Sequence, residues 1–361
     1  MDLVVWGRNT FGNTRDRINA KQGELEDLML TGYKENLDSI HEVKKEISEL
    51  MHHEEVFWRQ RSRSIWLPAG DKNTKFFHQW ASQRRRKNTI EGLYDAGGAW
   101  RTDAGEIASI AEEYYKSLFT ASCNLNTEAV LASIDRVVTG DMTNDLVRPY
   151  TVEEVRIALF QMHPSKAPGP DGMSPFFFQK FWHIVGQDVT GAVLSVLHSG
   201  RYLQKMNYTH IVLVPKKNGP QYITEYRPIS LGNVVSRLIS KVLANRVKST
   251  LPCIISDAQS AFVPGRLILD NTTVAFEMVH RMRNRRKGKV GHMAIKLDIS
   301  KAYDRVEWEF LEKIMLKLGF PVQLVNLVMS TVRTASYSVI INDEPCGYIN
   351  PSRGIKQGDP L

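Results

Sequence analysis

The chain contains no Asp-Asp pair, no Cys-x-x-Cys and no His-Glu-x-x-His. Its three cysteines, Cys123, Cys253 and Cys346, lie far apart, which excludes a zinc or disulfide framework and fits a reducing compartment. No apolar run approaches the ~18 residues that a membrane helix needs, so no membrane partner is expected. The start, Met1-Asp2-Leu3-Val4-Val5-Trp6-Gly7, is too short and too acidic for a signal peptide. Internal repeats and low-complexity tracts are absent too, which excludes solenoids and disordered spacers. His52, His53, Glu54 and Glu55 are adjacent without the spacing of a metal-binding helix.

What is present is a globular composition, 42% hydrophobic and 24% charged. The net charge of +8 is clustered. Arg84, Arg85, Arg86 and Lys87 form one block; Arg281, Arg283, Arg285, Arg286, Lys287 and Lys289 form another with no acid between them. Such blocks are either solvated surface or phosphate contacts. Two of them in a basic chain favour nucleic acid over an acidic protein partner.

Three regions are expected. Residues 1–65 form a helical extension, with one long charged helix over 15–60 striped by Tyr33, Leu37, Ile40, Val43, Ile47 and Leu50. Residues 66–150 form a linking region. In it Trp66–Asp71 breaks the helix, Asp71 caps Lys72–Gln83, a hairpin turns at Ala96-Gly97-Gly98, a helix spans 102–119, and a Ser/Thr/Asn/Asp-rich linker fills 120–150. Residues 151–361 start with a capping box, Thr151 and Glu154, that opens a helix through Met162. Pro and Gly then forbid regular structure in Ser165-Lys166-Ala167-Pro168-Gly169-Pro170-Asp171-Gly172. Phe176, Phe177, Phe178, Phe181 and Trp182 read as core on the helix that follows. Ile211–Val214 reads as a buried strand, turning back through Lys216–Pro220 to Tyr226–Ser230. Val235 to Leu251 makes a four-residue ridge, Val306 to Leu318 a helix stopped by Gly319, and Tyr337, Val339 and Ile341 a strand. Strands and helices mix without a βαβ rhythm, which predicts an α+β fold.

Candidate chemistry gathers at four places. Asp298 ends an apolar stretch, Ala294–Ile299, that reads as a strand; there it serves as a metal carboxylate or as a plain turn residue, and the main-chain carbonyl of Ile299 adds an oxygen. Lys216, Lys217 and Arg227 lie on two arms of one hairpin, an exposed basic surface or a clamp on a triphosphate. Tyr303, five residues past Asp298, stacks under a sugar or packs in the core. Gly354, Gln357 and Gly358 let backbone and an amide approach a base pair.

In chain order, Tyr226-Arg227-Pro228-Ile229-Ser230-Leu231, Leu297-Asp298-Ile299-Ser300-Lys301-Ala302-Tyr303-Asp304 and Gly354-Ile355-Lys356-Gln357-Gly358-Asp359-Pro360-Leu361 resemble the reverse transcriptase of non-LTR (LINE-type) retrotransposons, of the kind abundant in plant genomes. Ser165–Gly172 resembles the segment such enzymes carry before their fingers. Trp66-Leu67-x-x-Gly70-Asp71-x-Asn73-Thr74-x-Phe76-Phe77-His78 resembles the region linking their endonuclease to the polymerase. The resemblance implies a right-hand polymerase fold, with fingers and an incomplete palm from about residue 151. It implies two-metal nucleotidyl transfer with Mg²⁺, and an RNA template, a DNA primer and dNTP as partners. It makes Asp298 the first metal aspartate and Tyr303 the gate that excludes a 2′-hydroxyl. Arg227, with Lys216 or Lys217, contacts the triphosphate; Gln357 and Gly358 border nucleotide and template; Asp304 caps the next helix. It places the parent element in a nuclear and cytoplasmic ribonucleoprotein. The family's aromatic-x-Asp-Asp motif is absent before Leu361, so a truncated, inactive polymerase is expected; the alternatives are a non-catalytic nucleic-acid-binding remnant and a fragment that does not fold stably.

Overall fold

The computed structural model describes residues 14–62, 74–122, 127–261, 263, 265–285 and 291–361. The predicted breaker at Trp66–Asp71 and the Asp71 cap lie outside these residues, as do Arg286, Lys287 and Lys289. The chain forms two compact units, Met1–Thr89 and Ile90–Leu361, whereas the sequence suggested boundaries at 65/66 and 150/151. The difference arises because residues 90–150 supply a hairpin and a helix to the core of the second unit.

The first unit holds α1 (Thr14–Gly32), α2 (Leu37–Ser62) and α3 (Thr74–Asn88). The expected single helix over 15–60 is two helices. Gly32 takes φ +141, open to glycine but costly for other residues, and the chain turns there. Ile18 packs inward with Ile40, Val43 and Ile47. Lys21 bridges Glu24 and Glu46, both at 2.8 Å. Tyr33 and Leu37, read as part of the stripe, stay exposed at the turn. In α3, Phe77 is fully buried and His78 meets Trp58 edge-on at 4.2 Å.

The second unit runs β1 (Leu93–Tyr94), β2 (Trp100–Arg101), α4 (Ala104–Leu118), α5 (Glu128–Ala132), α6 (Gly140–Val147), α7 (Val152–Phe160), α8 (Pro175–Lys180), α9 (Trp182–Ser199), α10 (Gln204–Asn207), β3 (Tyr208–Pro215), β4 (Tyr226–Gly232), α11 (Val234–Lys248), α12 (Leu251–Ile254), α13 (Ile268–Asn284), α14 (Trp308–Leu318), α15 (Val322–Arg333), β5 (Ser336–Ile341) and β6 (Glu344–Ile349). One sheet has the order β4-β3-β5-β6. β3 pairs antiparallel with β4 and parallel with β5, which pairs antiparallel with β6. The mixture of helices with one mixed sheet bears out the α+β reading.

The unit has two hydrophobic cores, one on the sheet and one among helices. In the first, Ile107, Ala111, Tyr115 and Leu118 of α4 cover Ile211, Leu213, Tyr337, Val339 and Ile341. In the second, Leu238, Ile239, Val242 and Leu243 of α11 pack among α6, α7, α9 and α15. The Thr151–Glu154 capping box forms as expected. Glu154 also receives Arg246, whose Nε and Nη2 donate to it at 2.9 Å each. The same guanidinium donates to the carbonyls of Leu146, Arg148 and Pro149 and lies 3.6 Å from the Tyr150 ring centroid. Only 3% of the Arg246 side chain is exposed, so its donors must be satisfied inside the protein.

Three expectations need correction. Residues 120–150 are no simple linker: Val138 and Leu146 are buried in the helical core, and Thr139 caps α6 through Met142 N. The polar residues there cap helices rather than mark loops. Among the aromatics at 176–182 only Phe178 is buried; Phe176 is exposed and Phe177 and Trp182 pack partly. Ala294–Ile299 is not a strand. Residues 291–299 have no regular structure, and Ile295, Leu297 and Ile299 are 70%, 86% and 75% exposed. Alternating apolar residues suit a strand, but without a neighbour to take its N–H and C=O groups the ladder cannot form.

Candidate nucleotide and nucleic-acid site

The hairpin β3–β4 is fixed along its length, with Val214 opposite Arg227 and Pro215 opposite Tyr226. Past its last rung, Lys216 N donates to Glu225 O at 2.9 Å. Its three cations then differ. Lys217 is paired with Glu225 at 2.7 Å, and that partner holds the Glu225 carboxyl below its usual range. Lys216 Nζ donates to the Thr224 carbonyl at 3.0 Å and feels Asp304 only at longer range. Arg227 is exposed and makes no side-chain hydrogen bond or ion pair among the described residues.

Loop 352–359 joins this hairpin to the turn after Asp298. Ser230 N on β4 donates to Gln357 O at 2.9 Å. Gly358, at φ +102, approaches the Ser230 carbonyl. Ile355 N donates to Tyr303 O at 2.9 Å and Gly354 N to Val306 O at 2.8 Å. Trp308 Nε1 closes the joint by donating to Gly354 O at 2.7 Å. Gly354 has φ +85, and a Cβ there would stand 2.7 Å from Asp304 O; only glycine fits. Three stretches far apart in sequence thus meet at one place.

Segment 165–172 docks next to them, at the end of β4. A Cβ on Gly169 would fall 2.5 Å from Gly232 C. Asp171 N donates to Asn233 Oδ1 at 3.2 Å, and Arg237 Nη2 to Ala167 O at 3.1 Å. The irregular structure expected here is observed.

Tyr303 lies in a short 3₁₀ turn, Tyr303–Arg305, and is partly exposed at 39%. Its neighbour Asp304 is 5% exposed. Burial pushes the Asp304 carboxyl up to about 6, against the pull of Lys301, Lys216 and Arg305. Asp298 and Ile299 are exposed, and among the described residues no side-chain hydrogen bond or ion pair ties them to the hairpin. Among the described residues no three His, Cys, Asp or Glu side chains group as metal ligands. One carboxylate and one carbonyl do not make a two-metal site, which needs shared ligands for ions about 4 Å apart. The residues present therefore do not fit the predicted Mg²⁺ pair.

Sequence reasoning missed Lys356. Its amine donates to Asn207 Oδ1. Asn207 is fully buried, receives Ser236 Oγ at 3.1 Å, and donates to Thr331 O at 2.7 Å and Thr334 Oγ1 at 2.8 Å. Burial pulls the Lys356 amine below its ordinary pKa and Asp359 opposes the shift. Both residues line a cavity of about 200 Å³ with Leu311, Met315, Val328 and Tyr337. A lysine between two apolar walls carries no periodic signal, so only the fold reveals it.

Of the basic blocks, Arg84, Arg85, Arg86 and Lys87 end α3 in the first unit and are exposed. Arg281 and Arg283 lie on α13 and Arg285 just after it, all exposed. No residue of α13 is buried.

Residues 214–361 match the family described as reverse transcriptase (RNA-dependent DNA polymerase). The chain is 29% identical over 303 residues to a transposon TX1 149 kDa protein of Xenopus laevis, covering 83% of this chain and 23% of that protein. It is 27% identical to the Pol polyprotein of retrotransposable element R2 of Nasonia vitripennis, covering 62% of this chain and 20% of the relative. A probable RNA-directed DNA polymerase from transposon X-element of Drosophila melanogaster is 22% identical, with 77% and 30% covered. Residues 214–361 are therefore similar to a reverse transcriptase domain, and the chain as a whole is similar to proteins of non-LTR retrotransposons. It spans about a fifth to a third of the length of these relatives. All three are animal elements, and the plant-like reading is not borne out.

Proposed function

We propose that this chain is the nucleotide- and template-holding part of an RNA-directed DNA polymerase, with right-hand fingers and part of a palm in residues 151–361. Residues 66–150 lead into it and residues 1–65 form a helical extension. Arg227 and Lys216 bind the triphosphate of an incoming dNTP. Tyr303 faces its sugar, and Gln357 and Gly358 border the nascent base pair. Asp298 brings one metal carboxylate. Arg84, Arg85, Arg86 and Lys87, with Arg281, Arg283, Arg285, Arg286 and Lys287, track the phosphates of an RNA template and DNA primer. The observation that carries the reading is the pair of bonds Ser230 N to Gln357 O and Ile355 N to Tyr303 O, both 2.9 Å, which join the hairpin, the turn and the glycine loop.

These groups do their work without proton transfer. A guanidinium offers a planar fork of donors that suits phosphate oxygens, and Arg227 has no hydrogen-bond or ion-pair partner to give up among the described residues. Gly358 exposes backbone where a side chain would bar a base. A second reading, a nucleic-acid-binding chain without catalysis, is favoured by the isolation of Asp298.

One experiment tests both readings. Binding of dATP and of a primed RNA template is measured on the full chain and on Arg227→Ala, alongside primer extension in Mg²⁺. Arg227→Ala is expected to weaken dATP about tenfold, the loss of a charge-assisted hydrogen bond. Template binding is expected to fall about tenfold or more between 50 and 200 mM salt, as counterion release requires. Unchanged dATP affinity in Arg227→Ala defeats the nucleotide site. Extension of the primer by the wild-type chain defeats the non-catalytic reading.

A further inference from the structure

The turn that carries Tyr303 is held by a helix outside the segment that matches the reverse transcriptase family. Lys301, two residues before Tyr303, has φ +56. An L-residue is strained there, so surrounding contacts must hold it. The Lys301 amine sits 4.1 Å from the centroid of the Tyr114 ring on α4. It makes no hydrogen bond or ion pair among the described residues; the ring face is its direct contact, beside the longer-range attraction of Asp304. The Tyr114 hydroxyl is buried without a partner, so the ring, rather than the hydroxyl, makes the useful contact. Burial also pulls the Lys301 amine below its ordinary pKa, as an enclosed cation requires.

The same end of α4 holds the other side of Tyr303. The Phe119 carbonyl accepts from Ser352 N at 2.8 Å and from Arg353 N at 3.1 Å. The Leu118 carbonyl accepts from Arg353 Nε at 2.8 Å. Two residues on, Ile355 N bonds the Tyr303 carbonyl. One helix end therefore grips both the turn before Tyr303 and the loop behind it.

We propose that the Lys301–Tyr114 clasp is a positioning device for Tyr303, through which helix Ala104–Leu118 sets the discrimination between 2′-deoxy and 2′-hydroxy nucleotides. Lys301 and Tyr114 touch no nucleotide; they fix the backbone from which the Tyr303 ring projects. Without the clasp the Lys301 backbone relaxes to negative φ, the turn shifts, and the ring no longer closes on the 2′ position. The proposal rests on the reading of Tyr303 and Arg227 as nucleotide contacts.

The test compares dATP with ATP binding on the full chain in magnesium buffer. Lys301→Met, Tyr114→Leu, the double variant, Tyr114→Phe and Arg227→Ala are measured, with thermal unfolding as a check on folding. Lys301→Met and Tyr114→Leu are each expected to narrow the preference for dATP about three- to tenfold, the scale of a partly desolvated cation–π contact. The double variant should go no further than either single, and Tyr114→Phe should keep the wild-type preference. If Tyr114→Leu fails to fold, Lys301→Met decides. An unchanged preference in Lys301→Met, while Arg227→Ala weakens dATP and ATP alike, shows that the clasp sets nothing. Fully additive singles overturn the proposal as well. If Arg227→Ala also leaves dATP binding intact, the nucleotide-site reading has failed and the clasp falls with it.

Discussion

Ile211-Val212-Leu213-Val214 and Ala294–Ile299 are both short apolar stretches beside a residue of the candidate site, yet they meet opposite ends. Ile211 is 1% exposed in the centre of the sheet; Leu297 is 86% exposed in an irregular segment. β3 has β4 on one side and β5 on the other, so its backbone donors and acceptors are paired. Residues 294–299 have no strand beside them among the described residues. Side-chain pattern nominates a strand, and a neighbour decides it. The contrast separates the hairpin half of the site, assembled and held, from the Asp298 half, which the remaining contacts do not support.

The largest way to break the contrast is to damage the assembled half from behind. Arg246→Ala is expected to cost about 3–5 kcal/mol, because Glu154 and three carbonyls lose a buried cation together. Urea unfolding with the midpoint and slope both fitted measures it; a loss below about 1 kcal/mol would show that the guanidinium is only decorating the core.

Asp304 gives a smaller effect with a defined sign. Its folded pKa, about 6, lies above the ordinary carboxyl value of 3.8. The neutral form is therefore favoured in the fold. That contribution is fully present below about pH 4 and is lost as pH rises through about 6. Wild-type protein is expected to lose about 3 kcal/mol of stability over this window that Asp304→Asn does not lose. Parallel pH profiles of the two proteins would refute the assignment.

The smallest effect sharpens the comparison from the other side. Leu297→Ser removes an apolar side chain that is already in water, so stability should change by less than about 0.5 kcal/mol. A cost of about 2 kcal/mol would mean that 294–299 is packed in solution after all.

Much of this arrangement was legible beforehand, wherever the cause was local. The Thr151–Glu154 box, the Gly319 stop at φ +95, the β3–β4 hairpin and the irregular 165–172 loop follow from caps, turns and short apolar runs. The order of the stretches 226–231, 297–304 and 354–361 pointed to the family, and the first and last converge with Tyr303 of the second. What escaped depended on distant partners. The break at Gly32 was hidden because the apolar stripe continues past it. Polar residues at 120–150 read as linker because their capping roles show only once α6 packs. Lys356 and the Lys301–Tyr114 contact depend on residues more than a hundred positions away, and no spacing rule encodes them.

The parallel pairing of β3 with β5 sets the timing of the chain's emergence during synthesis. β4 follows β3 at once, so the hairpin can close while the chain is still being made. Ser336, the first residue of β5, comes over a hundred residues later. At ~5–20 residues per second, the inner edge of β3 waits on the order of ten seconds before its partner exists. During that wait an apolar strand, Ile211 to Val214, offers unpaired backbone to any passing extended segment. For this polypeptide the vulnerable moment falls before the glycine loop has been translated, and a holding chaperone would matter most then.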